Sequence, residues 1–357
     1  MLMDILAFLT SPRFIEAFLR VIVFPGTLFT LLYAILAVWG ERKLHARVHL
    51  RIGPLHIGPI MGLFQVIADF VKLVQKEIIV PRAAHRFIYN FVPLAAPILA
   101  AMSFAFIPCA PYPFYYGRPG PPYWVIYYTD LSLLVVLALF SLRPLLMIGA
   151  GWASNNKYST LGALRAALQL FAYEVPLIIA LAGIVIAVGT FDLARIAESQ
   201  LVVWFILTQP LGFIVALIAM MAELGRRPFD IPLAEQEVVF GWPTEYTGAQ
   251  FALVMMSEYL DLCAVSALIT ILYLGGWYGP VVPFLPPQAS YVFWFLFKVA
   301  VLTIIIMLGR AVFPRLRIDQ LLKAGWTWLI PLALLQVIIV LLEVDANMSW
   351  CIPAIAG

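Results

Sequence analysis

Residues 222–248 read AELGRRPFDIPLAEQEVVFGWPTEYTG and lie between two nearly unbroken apolar runs, about 200–221 and 249–274. With Glu258 inside the second run, this part of the chain gathers six of its nineteen carboxylates: Glu223, Asp230, Glu235, Glu237, Glu245 and Glu258. The pattern reads as an acidic loop, 222–248, joining two membrane helices. A carboxylate in or beside hydrocarbon is costly to keep ionised and is retained where protons or ions are handled. Like charges held close in low dielectric cannot all ionise at neutral pH, so they titrate as a coupled set. Pairing with Arg226, Arg227 and other loop bases is a second account of Glu223 and Glu235, but a poor one of Glu258, about ten residues into the following helix.

Composition extends this reading to the whole chain. With 64% hydrophobic and 11% charged residues and a mean hydropathy of +0.98, an ordinary soluble domain is excluded. Eight apolar stretches approach or exceed the roughly 20 residues a spanning helix needs: about 17–39, 87–108, 128–150, 170–190, 200–221, 249–274, 289–309 and 325–343. So continuous an apolar signal implies helices, which satisfy their backbone groups within lipid. The expected fold is an all-α integral membrane bundle of about eight transmembrane helices, one polytopic domain over residues 1–357 with no internal repeat. A ninth segment, about 60–79, places Gln65, Asp69, Lys72 and Lys76 on one helical face. It reads as an amphipathic helix on the membrane surface, either an anchor or a cavity wall with its polar face toward a ligand.

Basic residues set the orientation. Arg42, Lys43, Arg47, Arg51, Lys72, Lys76, Arg82, Arg86, Lys157, Arg165, Arg226, Arg227, Arg310, Arg315, Arg317 and Lys323 fall in or beside loops on one side. Arg13, Arg20, Arg118 and Arg195 fall on the other. The positive-inside rule puts the first set in the cytoplasm of a multi-pass cell-membrane protein and both termini on the extracytoplasmic side. The net charge of +3 reflects this asymmetry and does not imply nucleic acid. Asp4, Arg13 and Glu16 interrupt any cleavable-signal pattern. Cys109 and Cys351 share the predicted outer side, so a disulfide between them is one reading of the cysteines.

Four constellations bear chemistry. Glu41, Arg42, Lys43, Arg47 and Arg51, with Asp69 and Lys72, are mixed charges at the membrane surface, suited to a polar headgroup or to anionic lipid. Glu174 lies at the expected start of a helix, with Pro176 just after it. The acid cluster is the third. Lys298 is mid-helix and is expected to face an acid in the interior; Arg310, Arg315 and Asp319 follow at the boundary. Arg143, inside a helix, needs a partner or a water cavity. His45 and His49 are four apart but fall in what reads as a basic coil after Trp39-Gly40, so no metal site is expected. Walker, HExxH, GxSxG and dinucleotide signatures are absent.

The strings GERKLHARVHLRIGP (40–54), GPIMGLFQVIADFVKLVQKE (58–77), GWASNNKYSTLGALRAALQLFAYEVP (151–176), PFDIPLAEQEVVFGWPTEYTG (228–248), SEYLDL (257–262), FKV (297–299) and RAVFPRLRIDQLLKAGW (310–326) resemble the H subunit family of proton-pumping NADH:quinone oxidoreductases, the family of complex I subunit 1. The resemblance implies an eight-helix subunit at the junction of the peripheral and membrane arms, with other subunits of both arms and membrane lipid as partners. Quinone is then the substrate. No cofactor is tightly bound to this chain, and iron–sulfur clusters and flavin belong to partner subunits. By motif, Glu41, Arg42, Arg51, Asp69, Lys72, Arg310 and Arg315 would belong to the quinone tunnel. Glu174, Asp230, Glu235, Glu237, Glu245, Glu258 and Lys298 would belong to the proton relay. The chain departs from the family at Leu55-His56, where NR is common, at Gly225 (Asn), at Leu233 (Glu) and at Thr327 (Lys), and Arg143 matches no family motif. The departures leave the electron donor open. A related hydrogenase or ferredoxin-driven pump without quinone, and a stand-alone transporter, are the alternative readings.

Overall fold

The computed structural model describes residues 18–58, 61–111, 123–281 and 283–346. Its helices are α1 (Thr27–Val48), α2 (Phe64–Gln75), α3 (Arg86–Ala105), α4 (Ser132–Ser141), α5 (Arg143–Ala153), α6 (Lys157–Val188) and α7 (Leu193–Ser199). There follow α8 (Phe205–Thr208), α9 (Pro210–Glu223), α10 (Glu235–Val238), α11 (Gly248–Tyr273), α12 (Pro287–Val312), α13 (Ile318–Ala324), a π-helical turn (Gly325–Leu329) and α14 (Ile330–Asp345). Among the described residues, seven helical segments are long and apolar enough to cross a membrane. The protein is therefore an all-α, multi-pass membrane protein. Helix α11 stands at the centre: from Leu260 to Tyr273 every residue is buried. Its Ala264, Ser266 and Ala267 let neighbouring backbones approach closely, as small residues do where lipid gives helices no hydrophobic reason to associate.

Several boundaries differ from those read in the sequence, each for a local reason. Helix α1 does not stop at Gly40 but continues to Val48, because Glu41, Arg42, Lys43, Leu44 and Ala46 are good helix formers and one glycine costs only about 1 kcal/mol. His45 and His49 are thus at a helix end, with rings 4.3 Å apart. Helix α6 starts at Lys157, where Asn156 caps it by accepting from the Tyr158 amide at 3.0 Å. Glu174 is therefore mid-helix, not at a helix start, and Pro176 lies within the helix. The stretch about 128–150 is broken at Leu142 into α4 and α5. The stretch about 200–221 becomes α8, a break at Gln209, and α9. Pro210 has no N–H to continue the ladder. Helix α9 has 14 residues, about 21 Å, short of the roughly 30 Å hydrocarbon layer.

The four basic loops meet at one end of the bundle. The His85 amide donates to the Ala153 carbonyl at 2.9 Å, and the Leu316 amide to Pro228 at 3.3 Å; the Ile79 amide donates to Thr247 Oγ1 at 3.0 Å. The acidic loop is pressed onto α6 by two glycines: a Cβ on Gly162 would stand 2.6 Å from the Gly241 Cα. Ser159 Oγ donates to the Trp242 carbonyl at 2.8 Å beside this contact. The Cys109 thiol is buried; Cys351 lies outside the described residues, as do residues 112–122.

Candidate functional site: an apolar chamber beside buried charges

Between α1, α2 and α11 lies a cavity of about 490 Å³, within the usual size range of small-molecule sites. Ala34 and Val38 of α1, Val66 and Phe70 of α2, and Ala252 and Met256 of α11 form much of its apolar wall. Arg42, Asp69 and Tyr259 are its polar members. Helix α2 is a cavity wall, but it turns apolar residues and Asp69 toward the chamber rather than the whole polar face expected from spacing. Lys72 and Lys76 are exposed instead, where water solvates their charge at no desolvation cost. Asp69 accepts from Arg42 and, at 2.9 Å, from Gln65 Nε2. Burial works to raise its carboxyl, but these hydrogen bonds and the Arg42 charge prevail and hold it below the usual carboxylate range.

Behind Tyr259 is a buried charge cluster. Arg226 Nη1 donates to both oxygens of Glu41, at 2.9 and 3.0 Å, and Arg310 donates to the same carboxylate. Glu41 and Arg226 are both 5% exposed. The Tyr259 ring lies 4.8 Å from the Arg226 guanidinium, so this one residue belongs to the chamber wall and to the charge cluster at once. Burial opposes the charge on Arg226, and Glu41 more than offsets that, so the guanidinium is held protonated more firmly than usual. The sequence reading gave Arg226 to the loop acids; the structure gives it to Glu41, which sits 185 residues away.

Beyond Glu258, carboxylates continue inward. Glu258 and Asp261 of α11 line a cavity of about 30 Å³ together with Ser257 and Arg143, room for about one water. Arg143 pairs with Asp261 at 3.1 Å, which supplies the partner its depth requires. Glu223 at the end of α9 and Glu174 of α6 line a smaller void of about 10 Å³ with Ser141, near the lower limit for a water. The Ser141 hydroxyl donates to Glu174.

The remaining expected site residues are dispersed. Asp230 is held by Arg315 at 3.1 Å and by Arg227 at 3.5 Å. Glu237 pairs with Arg165 at the surface. Glu245 accepts from Asn156 Nδ2, while the Tyr89 hydroxyl donates to its backbone carbonyl at 2.6 Å. Glu235 opens α10. Arg51 is exposed and does not line the chamber. Lys298 is buried as expected but, among the described residues, is paired with no acid: its ammonium donates to the carbonyls of Leu274, Gly276 and Tyr278 at 2.6, 3.1 and 2.6 Å. Among the described residues, no group of acidic, His or Cys side chains could hold a metal.

Three departures from the family pattern sit in settings that suit the residues present. Gly225 has φ +62° with open space around its α-carbon, a conformation that Gly and Asn both tolerate. Leu233 packs against the cluster containing Trp242 and Tyr246, an apolar setting. Thr327 donates to the Lys323 carbonyl at 2.6 Å within the π-helical turn. Sequence reasoning missed Tyr259, the pairing of Arg226 with Glu41, and Asp261 as the partner of Arg143. The nearest signal was the position of Tyr259 beside Glu258, which lets one helix turn present both.

Fold and site together define a helical membrane protein whose interior is built around ionisable side chains. The chain matches the family described as NADH dehydrogenase over residues 21–341. It is 39% identical to the NADH-quinone oxidoreductase H subunit of Geobacillus sp. (strain WCH70) over 327 residues, 90% of this chain and 93% of the relative. It is 40% identical over 316 residues to the protein of that name from Dehalococcoides mccartyi (strain CBDB1), 88% of this chain and 84% of the relative. This chain belongs to that family, the membrane-embedded H subunits of the multisubunit NADH-quinone oxidoreductases.

Proposed function

We propose that the chamber between α1, α2 and α11 receives a quinone, and that the buried charges beside it couple quinone reduction to proton translocation. The observation that carries the reading is Tyr259, which forms part of the chamber wall and packs on the Glu41–Arg226–Arg310 cluster. A quinone has an apolar tail and a polar ring, and the chamber offers apolar walls with Arg42, Asp69 and Tyr259 as hydrogen-bonding groups. Quinone reduction consumes electrons and protons in equal number. Electrons come from an iron–sulfur centre in a partner subunit, so this chain's own work is to orient the ring and answer the demand for protons. A new negative charge beside Tyr259 is felt by Arg226 and Arg310, which loosens their hold on Glu41 and favours proton movement at Glu258. Glu258 passes the change to Glu223 and Glu174 through the two small cavities. Asp230 ties the acidic loop to Arg315 and lets it follow the charge state, while Glu235, Glu237 and Glu245 contribute from the same loop.

The sixteen basic residues fall in loops, or on helices beside them, that gather at one end of the bundle, which supports placing that end in the cytoplasm as the docking face of the peripheral arm. The relatives' names and the chamber's size favour quinone over a hydrogenase-like subunit that lacks it. Two substitutions test the reading in the assembled complex. Ala34→Phe fills the chamber and is expected to raise the apparent KM for a short-chain quinone about tenfold, a loss of about 1.4 kcal/mol; an unchanged KM removes the quinone from this chamber. Glu258→Gln is expected to abolish coupled turnover without loss of assembly, and full coupling would remove Glu258 from the relay.

A further inference from the structure

We infer that Arg143 and Asp261 form a positioning pair for the relay, a fixed counter-charge in mid-bundle that links Glu258 to Glu223; this rests on the relay reading above. Arg143 stands at the break between α4 and α5, with Pro144 after it in the first turn of α5. The break lets the guanidinium project to α11. The side chains of the pair are 13% and 9% exposed, so both charges are largely withdrawn from solvent. A buried ion pair is seldom more stable than well-packed apolar residues of the same volume. Stability therefore does not account for a pair placed here, but position does.

Charge reaches it from α6, α9, α11, α12 and the acidic loop, whereas α3 presents only apolar residues and Ser103 to its cavity. Glu223 of α9 shares the void of about 10 Å³ with Glu174 of α6 and lies within electrostatic reach of Arg143 and of Asp261 on α11. Glu258 shares its cavity with Arg143 and lies within electrostatic reach of Arg226 and Asp230 of the acidic loop and of Arg310 of α12. Arg143 is the base common to both acids, and the cavity of about 30 Å³ brings it and Glu258 to one surface. A guanidinium carries several donors in a rigid fork and does not lose its proton. It can hold Asp261 while its remaining donors reach a water shared with Glu258. Arg143 thus carries no proton itself. It sets the field in which one proton is shared between Glu258 and Glu223, and Asp261 holds it there and tempers its charge.

The test is the pH profile of coupled quinone reduction in the assembled complex. Arg143→Gln removes a positive charge, makes proton binding by the neighbouring acids easier, and is expected to move the profile to higher pH by on the order of one unit. Asp261→Asn removes a negative charge and is expected to move it the other way. A purely structural pair gives no such opposition. Either single change strands a buried charge, so a double variant, Arg143→Met with Asp261→Leu, keeps the volume and removes both charges. It is expected to assemble, keep its quinone KM, and lose about tenfold in coupled turnover. A double variant with the parent's rate and pH profile overturns the inference. Glu258→Gln, run in parallel, separates the two claims. If it alone impairs coupling, the relay stands without this pair; if it too is silent, the relay reading falls with it.

Discussion

Glu41 and Lys298 are both buried charges, 5% and 6% exposed, on helices in the interior of the same bundle, yet they are held by opposite means. Glu41 is held by Arg226 and Arg310, two side chains from different elements. Lys298 is held by three backbone carbonyls at and just beyond the end of α11, with the Trp204 ring 4.2 Å from its ammonium. Of these only the Leu274 carbonyl belongs to the helix end, where acceptors are left unsatisfied and the dipole favours a cation; Gly276 and Tyr278 supply theirs from the turn that follows. Carbonyls do not titrate, and their position is fixed by the fold. Guanidiniums can swing, and their field on a carboxylate changes when another charge arrives. The depth of a charge in a membrane protein therefore says little about its role until its partner is known.

The largest effect expected from this comparison comes from Glu41→Ala. It leaves Arg226 buried without its counter-charge, a loss of about 3–5 kcal/mol, and little assembled subunit should remain on a native gel. Wild-type assembly would mean that water reaches Arg226 and that the cluster is not closed. Lys298→Met deprives three carbonyls of their donor and should cost about 2 kcal/mol, read as a lower melting temperature, with the pH profile of coupled turnover unmoved. A displaced pH profile would put Lys298 back among the titrating groups. At the surface, Arg165→Ala breaks a pair whose carboxylate side chain is 54% exposed, and a loss under about 1 kcal/mol is expected in thermal unfolding.

The smallest effect concerns acid. The Asp69 carboxyl is held below its ordinary value by Arg42 and Gln65, so the folded state binds its proton more weakly than the unfolded chain does. Its contribution to stability is present above the unfolded value, near pH 4, and is lost as pH falls through the lower folded value. Asp69→Asn should flatten the acid side of a plot of melting temperature against pH. An unaltered slope would separate Asp69 from Arg42 in solution.

Much of the architecture could be read from periodicity and hydropathy, because lipid forces nearly every spanning residue to be apolar and helical. The sequence was least informative where helices break. Leu142 and Gln209 carry no glycine signal, and the adjoining prolines, Pro144 and Pro210, mark the following helix rather than the gap before it. Gly40 misled in the other direction, since helix-forming residues on both sides carry α1 through it. At the site, the acids were visible as acids in an apolar text, but their partners were not. Glu41 meets Arg226 and Arg310 only through the packing of α1, α12 and the acidic loop, and no spacing in the chain encodes that. Arg143 could be recognised as needing a partner; Asp261 on another helix could not be named as that partner. The chamber was less legible still, because its walls are the same Ala, Val, Phe and Met that build any membrane helix.

The central claim is that a carboxyl beside the chamber changes its proton occupancy when quinone is reduced. Redox-triggered infrared difference spectroscopy on the assembled complex reads this directly. The account predicts a carboxyl C=O band that appears or shifts on quinone reduction and is missing from the spectrum of Glu258→Gln. Identical spectra from the two proteins, or no carboxyl band in either, would contradict it.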